Sequence, residues 1–141
     1  MRGLDLLELP LTSGWNERPR PDRDVREFWA DPEGETGVLQ VSELDADNRE
    51  FARGFADLGV LASGVGERLG DGWGRSTGST HGSCAMGRFG LATFSSGAHA
   101  SMLLFVTLSD GAAFMWTWLG PTREAAEVRE ALEIVMNATV T

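Results

Sequence analysis

The chain of 141 residues has no lysine, no tyrosine, one cysteine and two histidines. Each scarcity closes off a chemistry. A phosphate-binding P-loop needs its lysine, so the glycines between residues 64 and 74 do not read as a nucleotide cradle. A single cysteine, Cys84, excludes an internal disulfide and any multi-cysteine zinc site. No apolar run approaches the roughly 18 residues of a membrane-spanning helix. Residues 4–11 are too few, and too interrupted by Asp5, Glu8 and Pro10, for the core of a secretion signal. The expected location is therefore cytoplasmic.

All twelve basic residues are arginine, set against twenty-one acidic ones for a net charge of −9. Phosphate backbones and anionic lipid repel such a chain unless its arginines cluster. The one dense group is Arg18, Arg20, Arg23 and Arg26, and Glu17, Asp22, Asp24 and Glu27 interleave with it. Nucleic acid and membranes are accordingly not expected partners.

With 42% hydrophobic and 23% charged residues, the chain is expected to form one globular domain over residues 1–141. Its second half carries the clearest pattern. Residues 102–108 and 112–119 are apolar at both parities, the mark of strands covered on both faces of their sheet. Asp110-Gly111 between them is a two-residue hairpin signal. Gly120-Pro121 then opens a helix whose buried stripe is Ala125, Val128, Leu132 and Val135.

Further strands are expected at residues 4–9, ending at Pro10, and at residues 25–30 and 38–42. A first helix is expected from Asn48 to about Leu61, capped by Asp47 with Glu50 three residues on. Phe51, Phe55 and Leu58 would be its buried stripe. Nine glycines punctuate residues 64–90. This segment reads as a strand over 66–76, a turn over 78–82 and a strand over 83–96.

The residues that carry reactive groups form no convincing constellation. Gly74-Arg75-Ser76-Thr77-Gly78 matches the nucleophile-elbow pattern, but no helix is expected after Ser76 and no acid lies between Ser76 and His99, the last histidine, so the order serine, acid, histidine is not met. His81, Cys84 and His99 are the only places to look for reactivity. For the first two, the plainer reading is a turn histidine beside a small buried thiol. No catalytic residue, metal or cofactor is assigned. Trp15, Trp29 and Trp73 fall in or near loops, as interface anchors do. Trp116 and Trp118 share one strand face and read first as core. An alternative places them with Trp73 and Phe89 around a small-molecule pocket.

The element order is a short strand ending at Leu9-Pro10, then Gly14-Trp15, a hairpin, a helix, antiparallel strands, and an acidic helix after Gly120-Pro121. That order resembles the PsbP-like fold, shared by photosystem extrinsic subunits, Ran-binding nuclear import factors and many bacterial proteins without an assigned role. The resemblance implies an α+β domain: a mostly antiparallel sheet of six to seven strands with one helix on each face. The alternative is a helix-grip sheet curled around the C-terminal helix. The expected function is non-enzymatic protein binding or an accessory role, the partner being another protein, a homodimer included. Small-molecule binding is the alternative.

Overall fold

The computed structural model describes residues 3–11, 14–20, 24–33, 37–69, 73–96, 100–121 and 126–141. A 3₁₀ turn, Gly3–Leu6, leads into β1 (Leu7–Glu8), followed by β2 (Asn16–Arg18), β3 (Val25–Trp29) and β4 (Val38–Glu43). Two helices come next, α1 (Ala46–Arg53) and α2 (Leu58–Arg68). The chain then runs through β5 (Gly78–Cys84), β6 (Gly87–Ser96), β7 (Ala100–Leu108) and β8 (Ala113–Gly120), and ends with α3 (Ala126–Asn137) and β9 (Thr139–Val140). Seven strands form one antiparallel sheet in the order β2-β3-β4-β8-β7-β6-β5, and β1 pairs with β9 in a separate two-stranded ladder. No helix among the described residues is long and apolar enough to cross a membrane.

The central strands are apolar at both parities because each side of the sheet has its own core. Leu103 and Phe105 of β7 join Phe114, Trp116 and Trp118 of β8 in a cluster closed by Ala131, Ile134 and Val135 of α3. Met102, Leu104 and Val106 point the other way, with Ala92 and Phe94 of β6, into a cluster closed by Ala52 of α1 and by Leu58, Leu61 and Ala62 of α2. Helices on opposite faces exclude the helix-grip alternative. The buried edge of α3 is rotated slightly from the expected stripe: Val128 and Leu132 flank it half-buried, and Ala125 lies outside the described residues.

On the other face, the one expected helix is two. α1 is capped by Asp45, not Asp47; the Asp45 side chain accepts from the Asn48 amide at 2.8 Å. It stops at Gly54, and Asp57 caps α2 by accepting from the amides of Gly59 and Val60. The break destroys the single stripe. Leu58 is buried and Phe55 half-buried, whereas Phe51 is 58% exposed.

α2 occupies part of the segment read as a strand over residues 66–76, and no strand forms among the described residues there. Two glycines explain this. A Cβ on Gly66 would lie 2.2 Å from the Phe94 ring, and one on Gly90 of β6 would lie 2.1 Å from the Leu58 backbone. Their missing side chains let helix and sheet touch, where sequence alone suggests interruption. The turn expected at residues 78–82 is strand β5, and the true turn lies between Cys84 and Gly87. The strand expected over residues 4–9 is mostly the 3₁₀ turn, with only Leu7 and Glu8 extended.

Candidate functional site

A seven-stranded sheet is about 30 Å wide at roughly 4.8 Å per strand, whereas a helix is about 10–12 Å across. α2 packs on β5, β6 and β7. No described helix lies over β2, β3, β4 and β8 on that side. The strand register arranges the open face in rows. The middle row is Arg18, Glu27, Gln40 and Thr117. On one side of it run Asn16, Trp29, Val38 and Leu119, and on the other Val25, Ser42 and Met115. A polar stripe therefore crosses the strands between two largely apolar ones.

Glu27 holds the polar row together. Its carboxylate accepts from Gln40 Nε2 at 2.6 Å, from Trp29 Nε1 at 2.9 Å and from an Arg20 guanidinium nitrogen at 2.8 Å. Burial pushes its pKa up. The three hydrogen bonds and the Arg20 charge outweigh that, so Glu27 lies below the ordinary carboxylate value. The Arg18 guanidinium stacks 4.6 Å from the Trp29 ring centroid and donates to the Pro32 carbonyl at 2.7 Å. Trp29 is thus held on one face by Arg18 and at its Nε1 edge by Glu27, presenting a braced half-exposed indole.

Where the face meets the segment after α2, a shallow cleft of about 280 Å³ is lined by Val25, Gln40, Met115 and Leu119 of the sheet, with Leu69 and Trp73. Leu69 and Leu119 are both 40% exposed. A larger hollow of about 690 Å³ sits at one end of the sheet, among Gly3, Leu6 and the turns around Met86 and Gly111. Among its described lining residues the ionisable ones are Glu43 and Asp110.

The residues singled out in the sequence distribute unevenly. Trp29 and Trp73 do lie on this open side. Trp15 does not: it is only 4% exposed in the opposite core, and its Nε1 donates to Glu130 at 3.0 Å, which ties the residue before β2 to α3. Trp73 packs with the α2-side cluster, whereas Phe89, Trp116 and Trp118 pack with the α3-side one. The sheet separates them, so these four cannot line one pocket.

His81 and Cys84 are three residues apart on one strand and therefore point to opposite faces. His81 is exposed, 3.7 Å from Asp57. Burial pushes the Cys84 thiol up, against smaller opposing hydrogen bonds from the Gly87 and Met86 backbone, the reverse of an activated nucleophile. His99 lies outside the described residues. Sequence reading missed Glu27, Gln40 and Arg20 as a unit. The signal was the hairpin-sized loop after residue 30, which sets Glu27 opposite Gln40.

No protein-family model matches the chain, and no curated protein does. Solved structures do. A Bacteroides thetaiotaomicron protein superposes with a TM-score of 0.60 at 16% identity, over 96% of this chain and 45% of that one. A point mutant of the protein Mog1 gives 0.61 at 12% identity, over 96% of this chain and 90% of Mog1. The fold is of the Mog1/PsbP-like type. LpqN, described as involved in cell envelope biogenesis of Mycobacterium tuberculosis, gives 0.45 at 15% identity, over 96% of this chain and 83% of LpqN. At such identities the likeness concerns architecture alone.

Proposed function

We propose that the protein is a non-enzymatic binding or accessory domain that docks a partner protein on the open face of β2, β3, β4 and β8. The observation that carries this reading is the row pattern. Trp29, Val38, Leu119, Val25 and Met115 offer apolar surface around a polar stripe centred on Glu27, whose carboxylate already accepts three internal hydrogen bonds. A carboxylate held below its ordinary range by three donors is a weak base, and proton-transfer chemistry needs the opposite tuning. A rigid indole braced by an arginine is, by contrast, the kind of group that anchors interfaces. Among the described residues no helix covers this strip of four strands, which is wide enough for one helix laid beside α2. The cleft at Trp73, about 280 Å³, falls slightly below the roughly 300 Å³ at which small-molecule pockets begin, so on this face it adds to a contact surface.

The test is affinity capture from the native host with wild-type protein, Leu119→Arg and Trp29→Ala, each checked for folding by circular dichroism. A partner held by the wild type and lost with both variants is the expected result. Equal recovery by all three would refute docking on this face.

A further inference from the structure

The two edges of the sheet are built differently. β2, at one edge, is three residues long, carries Glu17 and Arg18, and runs straight into Pro19. Shortness, charge and proline are the usual protections of a free strand edge. β5, at the other edge, has seven residues, Gly-Ser-Thr-His-Gly-Ser-Cys, with no proline, no acidic or arginine side chain, and β6 as its one ladder partner among the described residues. Residues 78–81 and Ser83 are exposed, and Gly82 and Cys84 half-exposed. About 24 Å of strand therefore presents an unprotected hydrogen-bonding edge.

We infer that this edge pairs with β5 of a second copy of the chain, antiparallel about a two-fold axis at His81, joining two seven-stranded sheets into one. Charge argues for a second copy. A chain of net charge −9 repels itself wherever its surface is ordinarily acidic, and β5 is a stretch of seven residues without a carboxylate. Size argues the same way. Specific capture of a foreign extended peptide relies on pockets for alternate side chains, whereas β5 displays only small groups around one imidazole.

The strand is also nearly self-complementary. About His81, Ser79 faces the second copy's Ser83, Thr80 faces its Gly82, and Gly78 faces its Cys84. Small hydroxyl pairs of this kind support cross-strand contact. His81 would meet its own symmetry mate, each imidazole standing beside the Asp57 carboxylate of its own chain at 3.7 Å. One strand pair buries less than the roughly 1,600 Å² of a standard interface, so the association is reversible, with dissociation in about the micromolar range or weaker.

Ser79 and Ser83 are both exposed and lie on the same face of β5, so charges placed there test the register without entering the core. Sedimentation equilibrium on the wild type should show a monomer–dimer equilibrium. Ser79→Lys combined with Ser83→Lys sets like charges opposite each other twice and should weaken it by roughly tenfold or more. Ser79→Lys combined with Ser83→Glu sets opposite charges there and should restore or strengthen it. A wild type that stays monomeric up to about 1 mM overturns the inference. So does a dimer indifferent to both double variants, because its contact then lies elsewhere.

Discussion

At the scale of single residues, burial and partnering decide what each polar group contributes. Trp116 is fully buried and its Nε1 donates to Thr107 Oγ1 at 2.9 Å. Thr107→Val keeps the shape and removes the acceptor, leaving a buried indole N–H unpaired. Urea unfolding should show a loss of about 1–3 kcal/mol. Trp118, two residues on, already has a buried Nε1 without a hydrogen-bond partner among the described residues, and that atom would lie 2.6 Å from a Cβ on Gly37. Glu27 makes a pH-dependent contribution. Its folded pKa lies below the ordinary value of 4.5, so its stabilisation is complete above the unfolded value and disappears as pH falls through the lower folded one. The wild type should therefore exceed Glu27→Gln in urea midpoint near neutrality, with the gap closing in acid. A gap independent of pH would refute the ionised network.

Elements depend on their ends and contacts. Asp57 starts α2, and Asp57→Ala should cost about 1 kcal/mol, within the usual range for a lost N-cap, read from a thermal or urea transition. Gly90→Ala should be far worse, about 3 kcal/mol or more, because the added methyl collides with the Leu58 backbone and neither side can rotate away. The same two features show why the sequence was only partly readable. β7, β8 and α3 were visible because buried surfaces leave periodic apolar residues. β5 has both faces largely in water, so it carries no periodicity and its Gly, Ser and Thr residues read as a turn. α2 was hidden for a different reason: Gly64 and Gly66 resemble breakers, and only the position of Phe94 reveals close packing as the use of Gly66. Trp29 and Trp73 were recognised as near-surface aromatics, whereas Trp15 was misplaced because its partner Glu130 lies 115 residues away.

At the scale of the molecule, the two-sided apolar strands already required a covered sheet, and the covering helices follow from α1, α2 and α3. What remained invisible was how incomplete the cover is on one side, since the width of a sheet beyond its helices depends on strand order. That order also governs assembly in time. β2-β3-β4 and β5-β6-β7-β8 are each made of sequence neighbours, and a single ladder, β4 with β8, joins them from Val38↔Leu119 to Glu43↔Phe114. Each half can form local pairs quickly, but the seam closes a loop of about seventy residues and belongs to the slow, nonlocal class of contacts. Until β8 has left the ribosome, β4 has no outer neighbour, and Leu39 and Val41 have no tryptophans to cover them. Nascent chains from which β8 has not yet emerged should hence be the aggregation-prone species, detectable as chaperone-bound intermediates that vanish once it has.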